Sequence, residues 1–188
     1  MYVESLRSAR SCGGGWAGER QLTSLAVWVQ RVAMRRLRTG GSQRALLVGA
    51  GGTAKAAMYA LSKVKGIERP VLLYNRTTSR AEALAAEFGA QVVTRLDNLE
   101  DVGVIVSTIP PEGATVIPDA LLANKPIMLD ASYMPGGAPL TKRATAAGCD
   151  LIVGPHMLFE QATYQVGLFT NRALLFWHSW STHPPRSS

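Results

Sequence analysis

Cysteine is scarce in this sequence, because Cys12 and Cys149 are the only two among 188 residues. They lie far apart in the chain and belong to no repeated Cys or His spacing, so neither a disulfide framework nor a metal-ligand motif is predicted. Runs of about 18 uninterrupted apolar residues are also lacking, which excludes a conventional membrane span. These absences indicate a reducing compartment, and we expect a cytoplasmic protein that uses no metal.

The central part of the chain lacks an excess of either charge. Residues 44–171 contain 11 Lys or Arg and 11 Asp or Glu, although the whole chain has a net charge of +7. The excess lies in the flanks, where residues 1–43 contain seven Arg against two Glu. A domain that binds nucleic acid carries positive charge on its folded surface, so we expect no nucleic-acid binding by the central domain. The basic start is compatible with an organelle transit peptide or with an arbitrary basic N-terminus.

Strands and helices alternate along the rest of the chain. The 47% hydrophobic content and the length are sufficient for one domain with a core. Continuous apolar strands separated by helices predict an α/β fold, a Rossmann-like doubly wound parallel sheet that follows an N-terminal amphipathic helix over 21–38. Strands are predicted near 45–49, 70–75, 91–93, 102–107, 126–131 and 150–153, and helices near 53–64, 79–88, 139–147 and 155–168.

A glycine-rich turn follows the first predicted strand. Gly49, Gly51 and Ala54 form the pattern G-x-G-x-x-A. The first glycine permits a tight turn, and the second lets the backbone approach a pyrophosphate that the amides of the following helix would bind. The pattern is weak on its own, because any tight strand-turn-helix crossover needs small residues. Lys55, on the same helix, would neutralise the pyrophosphate or face water.

The second predicted strand ends without a carboxylate. Asn75, Arg76 and Thr77 follow it, and Arg80 lies shortly beyond. An acidic residue at this point would bond the adenosine ribose of NAD, whereas arginine is suited to an additional 2′-phosphate. We therefore predict NADP as the cofactor. Thr77 and Ser79 have a simpler alternative role as caps of the next helix, but that role does not explain Arg76.

Six short motifs occur in a fixed order. They are Gly49 to Ala54; Asn75-Arg76-Thr77; Ser107-Thr108-Ile109-Pro110; Asp130-x-x-Tyr133-x-Pro135-x-x-x-Pro139-Leu140; Gly148; and Gly154-x-x-Met157-Leu158-x-x-Gln161. Together they resemble the cofactor half of shikimate dehydrogenases, most of all the fungal type found in the pentafunctional arom protein and in the related quinate-pathway repressor. The resemblance covers residues 44–171 and leaves the tail, 172–188, unassigned. Departures from the family pattern occur at Ala138, at His156 and over 168–171.

The resemblance implies cofactor contacts in three places and substrate contacts at two residues. Tyr133 has an alternative role as a core aromatic, and Met157 with Leu158 as helix core. The implied pyrophosphate contacts are Gly49, Ala50, Gly51, Gly52, Thr53 and Ala54; the 2′-phosphate contacts are Asn75, Arg76, Thr77 and Arg80; the nicotinamide contacts are Thr108, Ile109, Pro110, Ala131, Gly154, Met157 and Leu158; and Tyr133 and Gln161 would touch a substrate of the shikimate or quinate class.

The substrate domain of the family is not recognisable in residues 1–43, which contain no lysine. The family reaction converts 3-dehydroshikimate and NADPH into shikimate and NADP. A positioned acid-base group supplies about 10²–10⁴-fold in rate, so we expect little turnover from this chain alone and assign no catalytic residue. A longer protein or a partner would supply the substrate half. Two alternatives stay open: a non-catalytic regulator similar to the quinate-pathway repressor, and another NADP oxidoreductase such as a glutamyl-tRNA reductase domain.

Overall fold

The structure is a computed structural model that describes residues 43–134, 137–159, 162 and 166. The predicted helix over 21–38, Pro135, Gln161 and the tail lie outside the described residues. None of the helices within the described ranges is long and apolar enough to cross a membrane.

Strands and helices alternate as the apolar pattern predicts. The strands are β1 (Arg44–Val48), β2 (Leu72–Tyr74), β3 (Gln91–Val92), β4 (Val102–Ser107), β5 (Ile127–Asp130) and β6 (Asp150–Val153). The helices are α1 (Gly52–Lys63), α2 (Thr78–Phe88), α3 (Asp119–Ala123) and α4 (Pro139–Ala146), with a 3₁₀ helix over Pro111–Val116 and a helical segment over 154–159.

The six strands form one parallel sheet in the order β3-β2-β1-β4-β5-β6. This topology confirms the predicted Rossmann-like α/β fold. The chain leaves β1 towards β2 on one side and returns to β4 on the other, so the strand order reverses between β1 and β4. In open parallel sheets, ligands bind beyond the carboxyl ends of the strands at such a reversal.

The strand register brings the carboxyl ends of the inner strands to the same edge. Val48 lies opposite both Tyr74 and Ser107, and Ser107 lies opposite Asp130. We call this edge the crest of the sheet. The segments that follow β1, β2, β4 and β5 therefore meet there, as the positions of the motifs predict.

Alternate strand residues pack into two apolar layers, one on each face of the sheet. On one face Leu47, Leu73 and Val106 pack with α1 and α2. On the other face Ile105 and Met128 pack with the 3₁₀ helix, α3 and α4. Because both faces are covered, the strands need apolar residues at nearly every position, which explains their continuous apolar runs.

Three details differ from the prediction. β2 has three residues rather than six, and Pro70 before it has no amide hydrogen for the strand ladder. The 3₁₀ helix and α3 lie outside the predicted helices, because a five- or six-residue helix is too short for a helical period to emerge. The predicted helix over 155–168 begins one residue earlier, at Gly154, and its described residues 155–159, 162 and 166 are all helical.

Candidate functional site

The glycine turn is locked between the ends of two other strands. Gly49 follows β1 with φ +115°, a conformation that favours glycine, and its amide donates to the Tyr74 carbonyl over 2.8 Å. The amide and the hydroxyl of Thr108 both donate to the Val48 carbonyl, over 2.9 and 3.0 Å. A Cβ at Gly49 would overlap the Thr108 hydroxyl. Gly49 is therefore required by packing, whatever the turn binds.

The second part of the turn is open to solvent. Gly51 and Gly52 are exposed, and a Cβ added at either would have no atom within 4 Å. The first backbone hydrogen bond of α1 joins the Lys55 amide to the Gly51 carbonyl over 3.0 Å, so the amides of residues 52–54 precede it and have no helical acceptor. No acidic side chain lies in this first turn. We call residues 51–54 the amide cradle, and its positive helix end is suited to an anion.

Lys55, the residue that follows this cradle, pairs with a carboxylate of the neighbouring helix α2. Its ammonium group pairs with Glu87 of α2 at 2.7 Å, and both side chains are about half exposed. The expectation that Lys55 faces water agrees with its exposure, its pairing with Glu87 was not predicted, and neutralisation of a pyrophosphate stays a prediction. The pair joins α1 to α2 at the surface, where such ion pairs contribute about 0–1 kcal/mol.

The turn after β2 presents two arginines to solvent. The Asn75 amide group donates to the Thr77 carbonyl over 2.8 Å and so closes the turn, while Arg76 and Arg80 are exposed. Neither guanidinium has a hydrogen-bond or ion-pair partner within the described ranges. Thr77 occupies the N-cap position of α2, but its hydroxyl makes no capping hydrogen bond. The capping alternative was therefore wrong for the Thr77 side chain.

The segment after β4 returns beside the glycine turn. Thr108 and Ile109 are partly buried, and the Ile109 side chain lies 3.4 Å from the Cβ position of Gly113. Pro110 is exposed and caps the 3₁₀ helix. Ser107, the last residue of β4, is fully buried, and its hydroxyl has no hydrogen-bond partner in the structure. The predicted contacts of Thr108, Ile109 and Pro110 with nicotinamide stay predictions.

The buried carboxylate of Asp130 accepts hydrogen bonds from the segment after β5. Asp130 belongs to a motif of the sequence, but it was not among the predicted site residues. Asp130 is 1% exposed; its Oδ1 accepts from the Ser132 amide over 3.1 Å and from the Ser132 hydroxyl over 2.7 Å. Its Oδ2 accepts from the Thr141 hydroxyl of α4 over 3.1 Å. The next residues, Tyr133 and Met134, are 66% and 45% exposed. The alternative of Tyr133 as a core aromatic is therefore wrong.

The helical segment over 154–159 packs directly against this segment. Gly154 is buried, and a Cβ there would lie 2.5 Å from the Ser132 carbonyl oxygen and 2.8 Å from that of Ala131. Met157 is 8% exposed and belongs to the core, as its helix-core alternative requires, whereas Leu158 is 51% exposed and does not. Contact of either residue with nicotinamide stays a prediction. Within the described part of the chain, no three His, Cys, Asp or Glu side chains are grouped as a metal site would need.

The parallel sheet, the reversal of strand order and the amide cradle define a Rossmann-like α/β domain. The family described as "Shikimate / quinate 5-dehydrogenase" matches residues 31–116. The shikimate biosynthesis protein AroDE of Chlamydia muridarum is 35% identical over 129 residues, which are 68% of this chain and 25% of that protein. The pentafunctional AROM polypeptide of Schizosaccharomyces japonicus is 31% identical over 159 residues, 72% of this chain and 10% of that one.

A solved structure agrees with these sequence relatives. The shikimate 5-dehydrogenase of Thermus thermophilus, in complex with NADP(H) and shikimate, superimposes with a TM-score of 0.62 at 28% identity, over 77% of this chain and 56% of that chain. The chain therefore belongs to the shikimate dehydrogenase family, as its motifs predict. It spans less than two thirds of the length of each of these three proteins.

Proposed function

We propose that this chain is the cofactor-binding portion of a shikimate dehydrogenase and that it binds NADP(H). The observation that carries the proposal is that an open amide cradle after β1 lies beside a turn after β2 that carries two exposed arginines, Arg76 and Arg80. No acidic residue lies in the first turn of either α1 or α2. The site thus offers positive groups at two points of the crest, and the first turn of the helix at each of these points holds no carboxylate that would repel phosphate.

The geometry of the crest fits a dinucleotide with a phosphorylated ribose. The amide cradle would hold the diphosphate, because the space a Cβ of Gly51 would fill is empty. Val48 and Tyr74 are paired in register, so the turn that carries Arg76 lies beside the cradle. Arg76 and Arg80 would hold the 2′-phosphate through charge-assisted hydrogen bonds, and Asn75 keeps the turn closed.

The remaining crest residues would orient the reacting end of the cofactor and the substrate. The bound nicotinamide would supply a hydride, and Thr108, Ile109, Pro110, Ala131 and Gly154 would border it. Tyr133 would present its exposed ring and hydroxyl to a shikimate- or quinate-class substrate, together with Gln161. The family description names both shikimate and quinate, and the proposed reaction is the reduction of 3-dehydroshikimate to shikimate.

We assign no acid-base residue within the described ranges and propose that a substrate-binding portion supplies it, in a longer protein or a partner. The lengths of the relatives support this division, since the chain covers 25% of the Chlamydia muridarum protein and 56% of the Thermus thermophilus chain. Without that portion, the chain would bind cofactor and turn over little substrate.

Fluorescence titration with NADPH and with NADH tests the cofactor proposal. We expect NADPH to bind at least tenfold more tightly, and Arg76→Ala to lose about tenfold or more in NADPH affinity, since a hydrogen bond to a charged group contributes about 1.5–3 kcal/mol. NADH affinity should change little. Arg95→Ala is the matched control, because Arg95 is also exposed and pairs only with Asp97 in the described structure.

Two results would contradict the proposal. Failure to bind either nucleotide would remove the cofactor role and favour the non-catalytic regulator. Substantial shikimate oxidation by the chain alone would show that the acid-base group lies within it.

A further inference from the structure

The carboxylate of Asp130 connects the loop that follows β5 to the helix α4. One oxygen accepts from Ser132, at the start of the loop over 131–134, and the other accepts from Thr141 on α4. We propose that Asp130 is a positioning residue, which holds this loop so that the exposed ring of Tyr133 faces the substrate. The inference rests on the proposed function and extends it to a residue that makes no contact with substrate itself.

Burial of this carboxylate needs an explanation. Carboxylates are almost never fully buried without partners, because loss of hydration penalises the charge. Asp130 has no cation within ion-pair distance in the described part of the chain, and its three partners are neutral donors. An apolar residue would fill the same position at the end of a buried strand at less cost. The carboxylate is therefore explained best by the two segments that its oxygens connect, the loop at Ser132 and the helix α4 at Thr141.

The loop is held at its beginning and exposed at its end. The Ala131 amide donates to the Ser107 carbonyl over 2.9 Å, and the carbonyls of Ala131 and Ser132 lie against Gly154. Among the described residues beyond Ser132, the next backbone hydrogen bond joins the Gly137 amide to the Met134 carbonyl over 3.0 Å. The ring of Tyr133 thus takes its direction from Ser132, and Ser132 takes its position from Asp130.

Thr141→Val tests the anchor, because it removes the hydroxyl donor at Oδ2 with little change of shape. In the full chain, we expect hydrogen exchange of the Ser132 amide, which donates to Oδ1 of Asp130, to become about tenfold faster. The fluorine resonance of Tyr133, in chain labelled with 3-fluorotyrosine and assigned through Tyr133→Phe, should shift or broaden. Thr141→Ser should restore both signals, since it keeps the hydroxyl.

Thr145→Val is the matched control. Thr145 lies one turn further along α4, is exposed, and its hydroxyl donates to the Thr141 carbonyl of its own helix over 2.9 Å. We expect this variant to leave both signals of the loop unchanged. General damage to α4 would affect both valine variants alike.

Ligand titrations separate positioning from a purely structural role. With the chain saturated by NADPH, we expect Thr141→Val to weaken shikimate binding by about three- to tenfold, read from the Tyr133 resonance, while NADPH affinity stays within twofold of the parent. Equal behaviour of the two valine variants would overturn the inference and leave the proposed function intact. A parent chain that binds NADPH but no shikimate would overturn the inference, because Tyr133 would then hold no substrate in this chain, and it would leave the cofactor role intact. A parent chain that does not bind NADPH would contradict the proposed function itself.

Discussion

Gly49 and Gly51 belong to the same turn, yet the structure predicts opposite consequences when each is replaced by alanine. At Gly49 the backbone has φ +115° and the new Cβ would overlap the Thr108 hydroxyl. The unfavourable backbone conformation costs about 1–3 kcal/mol, and loss of the hydrogen bond from Thr108 to Val48 adds about 0.5–1.5 kcal/mol. We therefore expect Gly49→Ala to lower the free energy of unfolding by about 2–4 kcal/mol, a large part of the roughly 5–15 kcal/mol of an ordinary domain.

Gly51→Ala should leave stability nearly unchanged. Its φ of −92° is open to any residue, and no atom lies within 4 Å of the added Cβ. We expect a change in the free energy of unfolding within about 0.5 kcal/mol, as at other surface positions. The methyl group would instead occupy the space through which a diphosphate approaches the amides. NADPH affinity should fall at least tenfold, or about 1.4 kcal/mol.

Two measurements on both variants decide the matter: urea unfolding followed by circular dichroism, and NADPH titration of the folded protein. The reasoning requires Gly49→Ala to lose stability and Gly51→Ala to lose affinity. It would be refuted if Gly51→Ala destabilised the chain as much as Gly49→Ala, or if Gly51→Ala bound NADPH normally.

Three further results are expected. Arg143→Lys should lower the free energy of unfolding, measured by urea denaturation, by about 1–3 kcal/mol, because the guanidinium of Arg143 donates to two backbone carbonyls and to Asp119, and lysine cannot make all of these hydrogen bonds. Unchanged stability would contradict this reasoning. Lys55→Ala should change the free energy of unfolding by about 0–1 kcal/mol and NADPH affinity by less than twofold, since Lys55 pairs with Glu87 at the surface. A tenfold loss of affinity would show that Lys55 takes part in binding NADPH at the cradle. Burial raises the pKa of the Cys149 thiol, so the folded state is favoured while the thiol is protonated. This contribution to stability is present in full below the pKa of the unfolded chain and is lost as pH rises through the pKa of the folded chain. Peptide mapping after iodoacetamide treatment should show slower alkylation of Cys149 in folded than in unfolded chain at the same pH, and equal rates would contradict the shift.

The sequence alone was sufficient for the sheet and for the position of the motif segments at its crest. β4 and β6 begin and end at the predicted residues, and no end of the other strands differs by more than two residues. These features depend on apolar runs and on glycine between neighbouring elements, which are local properties of the chain. The carboxyl ends of parallel strands share one edge in any such sheet, so the meeting of the motif segments there also follows from the pattern.

Only the tertiary structure decided which residues of the motif segments form hydrogen bonds or ion pairs with other elements of the fold. Lys55 meets Glu87, and Asp130 meets Thr141, only because α1 packs beside α2 and α4 lies across the end of β5. Hydrogen bonds and ion pairs between elements depend on strand order and register, which no local pattern of residues encodes. The same reason separates Gly49, which the neighbouring Thr108 requires, from Gly51, whose missing side chain leaves the cradle open.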